Sequence, residues 1–207
     1  MVSAGRHSDI RVGVLALQGD FADHLDVLGS CGYRKRAVRT AFDLESCDAL
    51  IIPGGESTTM LKLIDRVDLR EPLTKRINAG MPAFGTCAGA IVLAGRVSDG
   101  EAPLGVLPIE IQRNAYGRQA ESFEADIDVP HLGYTVRGVF IRAPVISSVG
   151  DGAEVLANLA GHPVLVQSDR VLAATFHPEL VGEVGLHRYF VEEVCVGEAL
   201  ARAGGGS

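Results

Sequence analysis

The sequence predicts an α/β fold in which helices cover both faces of a mostly parallel sheet. In the first half of the chain, short apolar runs alternate with segments of helical spacing, which is typical of βα units and a parallel sheet. From about Ile109 the pattern changes to a succession of strands, so additional antiparallel strands are expected in the C-terminal half. A chain of 207 residues with 47% hydrophobic content can bury a sizeable core as one domain.

The first half alternates strands and helices. In the first predicted helix Phe21, Leu25 and Leu28 share one face, and Gly29 follows it. A later helix stops at Gly80, and a strand and a small-residue helix then flank Cys87. The predicted strands are Arg11–Leu17, Tyr33–Val38, Ala49–Ile52 and Met81–Phe84, and the predicted helices are Phe21–Leu28, Thr58–Val67, Leu69–Ala79 and Ala88–Leu93.

The second half is predicted to consist of strands and one last helix. The predicted strands are Ile109–Gln112, Phe123–Ile127, Val136–Ile141, Glu154–Leu159, Pro163–Gln167 and Val171–Phe176. An amphipathic helix is expected over Leu186–Ala201. No linker or internal repeat is visible, so we expect a single domain over residues 11–200, with flexible tails at 1–10 and 201–207.

The segment Phe84–Gly89 is a candidate nucleophile elbow around Cys87. Gly85 and Gly89 lie two residues before and two after the cysteine, where a strained turn between strand and helix requires small residues. A sulfur at a helix N-terminus is favoured as the thiolate. The alternative is a buried apolar cysteine in an ordinary βα turn.

A histidine that could accept the proton of this cysteine follows the last predicted strand, in the sequence His177-Pro178-Glu179. Pro178 keeps the residue before it out of helical conformation, and side chains alternate along extended chain, so His177 and Glu179 are expected on the same side. A histidine near a thiol and oriented by a carboxylate is the arrangement of a catalytic triad. The alternative is a surface histidine beside a capping glutamate. The order Cys, His, Glu differs from that of α/β-hydrolases, where the acid precedes the histidine.

A glycine-rich loop, Pro53–Thr58, follows the apolar strand at 49–52. Backbone N–H groups of Gly54 and Gly55 can point at a ligand without interference from a Cβ. Together with the N–H of Ala88 they are candidates for an oxyanion hole. Ser57 is the expected N-cap of the next helix. An ordinary βα turn is the alternative.

Three motifs in this order resemble the class I glutamine amidotransferase family: Pro-Gly-Gly-Glu-Ser-Thr at 53–58, Gly-Thr-Cys-Ala-Gly at 85–89 and His-Pro-Glu at 177–179. Further segments are similar to the glutaminase subunits of two-component pyridoxal 5′-phosphate synthases, namely Leu15–Gly19, Arg113–Gln119, Glu121–Glu124 and Phe140–Pro144. The resemblance spans about residues 11–195, with no departure at a catalytic position. It implies a three-layer, flavodoxin-like fold.

The resemblance also implies a role for each motif residue. Cys87 would attack the side-chain amide carbon of L-glutamine, His177 would move the proton, and Glu179 would orient His177. Water would then hydrolyse a glutamyl thioester to glutamate, after ammonia has left. An arginine can bind the α-carboxylate of glutamine bidentately, although a lone arginine is otherwise interpreted as a solvated surface charge. The residues implied to line the glutamine pocket are Gly55, Glu56, Ser57, Arg113, Ile141 and Arg142.

A partner that receives the ammonia is implied as well. The sequence has neither a phosphate-binding P-loop motif nor a dinucleotide fingerprint, so no ATP or dinucleotide domain is expected. The implied partner is the barrel-shaped synthase subunit, which combines ammonia with ribose 5-phosphate and glyceraldehyde 3-phosphate or their isomers, in a complex of twelve subunits of each kind. Pyridoxal 5′-phosphate would be the product of that complex, and this chain would need no cofactor.

Composition argues against several other classes of protein. A net charge of −7 disfavours nucleic acid and anionic membranes as partners, and no apolar run approaches the roughly 20 residues of a membrane span. Four cysteines without C-x-x-C spacing indicate reduced thiols in the cytoplasm, with Cys31, Cys47 and Cys195 structural. The scattered histidines lack ligand spacing, so no metal is expected.

Two rival functions stay open at this point. A Cys-His hydrolase on a related sheet, such as a peptidase or a stress-response hydrolase, would usually lack the loop at 53–57. A non-catalytic binding module that keeps the fold would not need Cys87, His177 and Glu179 intact.

Overall fold

The computed structural model describes residues 9–113 and 122–196. The strands in these ranges are β1 Arg11–Leu15, β2 Arg34–Val38, β3 Ala49–Ile52, β4 Ala83–Thr86, β5 Ala94–Val97, β6 Leu107–Gln112, β7 Phe123–Val129, β8 Tyr134–Phe140, β9 Val145–Val149, β10 Glu154–Leu159, β11 His162–Ser168 and β12 Val171–Ala174. The helices are α1 Phe21–Ser30, α2 Ala41–Glu45, α3 Ser57–Arg66, α4 Arg70–Asn78, α5 Ala88–Leu93 and α6 Gly185–Tyr189. A 3-10 turn covers Glu179–Val181, and a π-helical turn covers Phe190–Val194.

A seven-stranded sheet forms the centre, in the order β10-β11-β12-β4-β3-β1-β2. The five strands from β12 to β2 run parallel, and β11 and β10 extend the sheet with antiparallel pairing. The carboxyl ends of β1, β3, β4 and β12 therefore meet at one edge, where open α/β sheets carry their sites. The predicted mostly parallel α/β sheet with added antiparallel strands is confirmed.

Two hydrophobic cores lie on opposite faces of this sheet. Successive side chains of β3 point to opposite faces. Leu50 and Ile52 accordingly join the core that contains residues of α3, α4 and α5, whereas Ile51 joins the core that contains residues of α1 and α6. All four residues of β3 are buried, as expected for a central parallel strand covered on both sides. The fold thus has three layers.

A separate hairpin of β7 and β8 reaches the edge of the sheet where the strands end. Its seven residue pairs run from Phe123 opposite Phe140 to Val129 opposite Tyr134. Val139 in β8 exchanges two backbone hydrogen bonds with His177: the His177 N–H donates to the Val139 carbonyl at 2.8 Å, and the Val139 N–H donates to the His177 carbonyl at 3.1 Å. The hairpin is thereby joined to the segment that follows β12.

The sequence analysis missed three short elements, α2, β5 and β9. Helix α2 is little more than one turn, held by a capping box in which Thr40 and Asp43 bond each other's backbone, and it has too few residues for a periodicity to show. The strand predicted to end at Phe176 ends at Ala174. The predicted helix Leu186–Ala201 begins as α6, continues as the π-helical turn, and extends beyond the described residues after position 196.

Several predicted features lie outside the described residues. These are the tails except residues 9 and 10, the motif residues 114–119, and Glu121. The extent of the domain, residues 11–200, stays a prediction. Over the described ranges, no helix is both long and apolar enough to cross a membrane.

Candidate active site

Cys87 occupies a strained turn between β4 and α5. Its φ of 48° and ψ of −103° lie where a residue with a side chain is rarely found, and such strain is concentrated at functional sites. Neighbouring backbones crowd this turn. A Cβ added to Gly85 would lie 2.5 Å from the carbonyl carbon of Gly89, and one added to Gly89 would lie 2.8 Å from that of Ile52. The turn has the geometry and the glycine requirement of a nucleophile elbow.

His177 lies beyond the end of β12, next to β4 in the sheet, and both it and Glu179 are 3% exposed. The Nδ1 atom of His177 is 2.8 Å from Oε1 of Glu179. The reason given from sequence for this pairing is wrong, because the segment is not extended. Pro178 has helical dihedral angles and Glu179 begins the 3-10 turn, which folds the carboxylate back toward the imidazole.

The electrostatics of this pair favour an imidazolium beside a carboxylate. Burial acts to lower the pKa of His177, but hydrogen bonds to Cys87 and Glu179 and their charges outweigh it and raise the pKa to about 10. Burial acts to raise the pKa of Glu179, yet the charge of His24 and hydrogen bonds from His177 and His24 hold it well below its usual range. Because Nδ1 of His177 is engaged by Glu179, the Nε2 atom is left for the thiol of Cys87.

Asp20, which follows β1, is a second carboxylate at His177 that the sequence analysis did not identify. Its Oδ2 atom lies 3.5 Å from the same Nδ1 atom. Asp20, His177 and Glu179 could together hold a metal ion. Within the described part of the chain, they are the one group of three or more His, Cys, Asp or Glu residues whose potential metal-ligating atoms all lie within 4.8 Å of one another. A cation bound there would compete with the Nδ1 proton that Glu179 accepts. The expectation that this chain needs no metal stays a prediction.

The loop after β3 packs directly on the imidazole. A Cβ on Gly54 would lie 2.6 Å from Nδ1 of His177, and closer still to Cε1. Gly55 has a φ of 144°, a conformation that favours glycine, and a Cβ there would lie 2.5 Å from Oε1 of Gln18. The same Gln18 oxygen accepts a hydrogen bond from the Glu56 N–H at 3.0 Å. The loop is therefore fitted closely between Gln18 and His177.

Ser57 is not the N-cap of α3, as the sequence analysis expected, but its first, buried residue. Glu56 caps the helix instead, and its carboxylate accepts hydrogen bonds from the N–H groups of Thr58 at 2.9 Å and Thr59 at 2.7 Å. Bonds from Thr59 outweigh burial and lower the pKa of Glu56 to about 2. The longer glutamate side chain reaches these N–H groups from one residue further back.

The two candidate arginines, Arg113 and Arg142, differ in the hydrogen bonds and ion pairs that they make. Arg113 donates to the hydroxyl of Thr58 at 2.9 Å and forms an ion pair with Glu56 at 3.4 Å. Arg142 has a φ of 45°, is exposed, and makes no hydrogen bond or ion pair with any described residue. The carbonyl of Ile141 lies 3.9 Å from the sulfur of Cys87. Arg142 is thus the arginine whose guanidinium is available to a ligand.

These groups surround a cavity of about 470 Å³, a size suited to a small-molecule ligand. Nine of the eleven residues predicted for the site line it: Gly55, Glu56, Ser57, Cys87, Ala88, Arg113, Ile141, Arg142 and His177. The other two lie against His177, Glu179 through its hydrogen bond and Gly54 through its close packing. The structure therefore brings all the predicted residues together.

Comparison with known proteins agrees with this arrangement. The family described as SNO glutamine amidotransferase matches residues 14–196. The chain belongs to this family. It is 52% identical over 189 residues to the pyridoxal 5′-phosphate synthase subunit PdxT of Pelotomaculum thermopropionicum, covering 90% of this chain and 96% of the relative. The PdxT subunit of Mycobacterium tuberculosis is 49% identical over 190 residues, with 89% and 96% covered.

Solved structures support the same family and fold. A crystal structure of a glutamine amidotransferase matches with 49% identity and a TM-score of 0.85, covering 89% of this chain and 98% of that one. The structure of PurLQS from Thermotoga maritima matches with 16% identity and a TM-score of 0.65, covering 94% and 96%. The second likeness shows the fold alone. This member of the SNO family therefore has the class I glutamine amidotransferase fold that the motifs implied.

Sequence reasoning missed buried polar residues behind the triad, namely His24, Thr86 and His187, which are all fully buried. A signal for His24 is present in the sequence. It lies three residues after Phe21 and four before Leu28, on the face of α1 that is otherwise apolar. A histidine on a core-facing stripe needs a buried partner, and that partner lies far away in the sequence.

Proposed function

We propose that this chain hydrolyses L-glutamine to L-glutamate and ammonia, with Cys87 as nucleophile, His177 as general base and acid, and Glu179 as the group that orients His177. The observation that carries the proposal is the row of these three side chains beyond the carboxyl ends of the neighbouring strands β4 and β12, with Cys87 and His177 lining one cavity. Membership of a glutamine amidotransferase family supports glutamine as the substrate.

The proposed reaction follows from the positions of the atoms. Glu179 accepts the Nδ1–H of His177, and Nε2 holds the proton that Cys87 gives up. The raised pKa of His177 keeps this proton on the imidazole before glutamine binds, so Cys87 attacks as the thiolate. The thiolate sulfur bonds to the side-chain amide carbon, and the former carbonyl oxygen becomes an oxyanion. His177 returns a proton to the amide nitrogen, the C–N bond breaks, and ammonia leaves a glutamyl thioester. Water, deprotonated by His177, then displaces the sulfur to give glutamate.

The oxyanion would be stabilised by backbone N–H groups. Ala88 begins α5, so its N–H is one of those without an acceptor inside the helix. The loop of Gly54 and Gly55 packs against the imidazole, Gly55 lines the same cavity as Ala88, and this loop can supply the second donor. Both sets of donors belong to backbone held by close packing, which is the preorganisation that such a site needs.

The glutamine main chain would occupy the polar end of the cavity. The guanidinium of Arg142, which is unpaired among the described residues, suits the α-carboxylate. Arg113 lines the same cavity and is held by Thr58 and Glu56. Glu56 and Asp20 are carboxylates that can receive the α-ammonium group. Gly55, Ser57 and Ile141 would complete the pocket.

The ammonia would pass to a pyridoxal 5′-phosphate synthase subunit. Relatives about 50% identical are named as subunits of that synthase, and this chain covers 96% of their length. Pyridoxal 5′-phosphate is then the product of the complex, with no cofactor held by this chain, and the complex contains twelve copies of each subunit. Four free cysteines support a reducing, cytoplasmic setting.

The deciding experiment measures glutamate release by the full chain, alone and with saturating synthase subunit, together with labelling by a diazoketone analogue of glutamine. We expect activity that rises on addition of the synthase subunit, one label per chain on Cys87, and neither activity nor label in Cys87→Ala. Cys47→Ala is the matched control, because Cys47 is also buried but its sulfur bonds the Asp43 carbonyl away from the cavity. Glutamine hydrolysis that survives in Cys87→Ala would refute the assignment.

A further inference from the structure

The row of catalytic side chains continues into the protein beyond Glu179. The Nε2 atom of His24, on α1, lies 3.4 Å from Oε1 of Glu179 and 3.0 Å from the hydroxyl oxygen of Thr86. The Nδ1 atom of His24 lies 2.8 Å from Nε2 of His187 on α6. The Nδ1 atom of His187 lies 3.1 Å from the carbonyl oxygen of Glu183. Both of these histidines are fully buried.

The partners fix where the protons are. A carbonyl oxygen only accepts, so the Nδ1 atom of His187 carries a hydrogen and donates it to Glu183. His187 is fully buried, and burial is the largest cause of the fall in its pKa to about 3, so its Nε2 atom is unprotonated and accepts. The hydrogen bond between the two rings therefore requires a hydrogen on Nδ1 of His24. The remaining ring nitrogen, Nε2, faces Thr86 and Glu179.

The buried carboxylate of Glu179 needs a hydrogen-bond donor on the side that faces His24. It is 3% exposed, and its Oε2 atom has no hydrogen-bond partner among the described residues. Its Oε1 atom therefore bears both contacts of the carboxylate, one with Nδ1 of His177 and one with Nε2 of His24. A buried carboxylate is stable as an anion only when it is paired and hydrogen-bonded. An unprotonated Nε2 would turn a lone pair toward this anion, whereas an N–H would stabilise it.

We propose that His24 is a positioning residue for glutamine hydrolysis, which carries a hydrogen on both ring nitrogens and holds Glu179 ionised and oriented toward His177. This inference rests on the proposed function. His187 fixes the ring of His24 by accepting a hydrogen bond from its Nδ1 atom. The contact between the Thr86 hydroxyl and the Nε2 atom of His24 fixes the orientation of the other side of the ring. His24 acts through Glu179 and does not touch the substrate cavity, whose lining it does not join.

A double-mutant cycle tests this coupling in the full chain with saturating synthase subunit. We expect His24→Leu to lower kcat at least tenfold, with the KM for glutamine changed less than twofold. In the Glu179→Gln background the same substitution should lower kcat less than twofold, because the group through which His24 acts is already neutral. His24→Gln, whose amide can place an N–H near the Nε2 position, should retain at least a third of the wild-type kcat. His131→Leu is the control, since its ring packs on Tyr189 instead of the row, and it should leave kcat unchanged.

Equal losses from His24→Leu in the wild-type and Glu179→Gln backgrounds would show a merely structural role and overturn the proposal. If His24→Leu does not fold, proton–nitrogen correlation spectra of the ¹⁵N-labelled histidine rings decide the matter in the unmutated chain. We expect two N–H groups on His24 and one, on Nδ1, on His187. An unprotonated Nε2 on His24 would refute the inference even if the enzyme is fully active. Absence of glutamine hydrolysis in the wild type would instead refute the proposed function, so the two failures are distinguishable.

Discussion

Gly54→Ala tests how tightly the loop after β3 constrains the catalytic histidine. The φ of Gly54 is not in the left-handed region, so alanine meets no backbone strain there. Its new Cβ would lie 2.6 Å from Nδ1 and 3.1 Å from Nε2 of His177. The loop is held in place, since the Gly54 carbonyl accepts a hydrogen bond from the Asp20 N–H at 3.2 Å. The imidazole must therefore move.

The size of the effect follows from these distances. Non-bonded carbon atoms are comfortable at about 3.5–4.0 Å, and the new Cβ would lie closer to Cε1 than to Nδ1, so the ring must retreat by more than about 1 Å. A displacement of this size would disrupt the 2.8 Å hydrogen bond between Nδ1 and Glu179. A misplacement of about 1 Å costs on the order of 100-fold in rate, or about 2.7 kcal/mol of activation free energy. Overpacking should also lower the free energy of unfolding by about 1–3 kcal/mol.

The assay is kcat for glutamate release, with urea denaturation to measure the free energy of unfolding. Gly29→Ala is the matched control, because Gly29 lies in α1 without left-handed φ and its new Cβ would meet only the flexible end of Lys35. We expect the control to keep kcat within twofold and Gly54→Ala to lose about 100-fold while remaining folded. A folded Gly54→Ala protein with kcat within twofold of wild type would refute the reasoning.

Three further predictions follow from the same site. His177→Asn should lower kcat nearly as far as loss of the nucleophile, and Glu179→Gln should lower it less, because the base acts in both half-reactions; steady-state rates check the order. Arg142→Ala should raise the KM for glutamine about tenfold, as expected for loss of a charged hydrogen bond of about 1.5 kcal/mol. Arg113→Ala should raise the KM less, because Arg113 is already paired with Glu56. KM values that stay unchanged in both variants would contradict this prediction. Because the pKa of His177 is raised from 6.5 to about 10 in the folded chain, its stabilising contribution is complete below pH 6.5 and is lost as the pH rises through about 10. The free energy of unfolding should therefore fall between pH 7 and 10, and fall less in Cys87→Ala, as denaturant titrations at a series of pH values would show.

The features that sequence predicted best are those encoded locally. The elbow at Cys87 depends on two glycines within two residues, and the structure shows the backbone crowding that requires them. Central strands such as β3 are short, wholly apolar runs, which is what burial on both faces demands. Such features can be identified without knowing what lies across the sheet.

The features that sequence did not predict depend on partners far along the chain or on side-chain reach. The His24–His187 contact joins residues 163 positions apart, and no local pattern pairs them. Ser57 is the predicted cap of α3, but Glu56 caps the helix, because its side chain reaches the free N–H groups in three dimensions. The conformation of Pro178 could not be predicted either, because a proline is compatible with both extended and helical ψ angles. The helical angles that it adopts determine how the Glu179 carboxylate approaches the His177 imidazole.

The backbones of the nucleophile and the base are hydrogen-bonded to different parts of the fold. Cys87 follows a central strand, and its N–H donates to the Ala174 carbonyl of β12 at 2.8 Å, within the most deeply buried part of the sheet. Both backbone hydrogen bonds of His177 go instead to Val139 in the β7–β8 hairpin, outside that sheet. Opening of the hairpin alone would expose the His177 amide to hydrogen exchange while the Cys87 amide stayed protected. Hydrogen exchange at these two amides would therefore report separately on the hairpin and on the sheet.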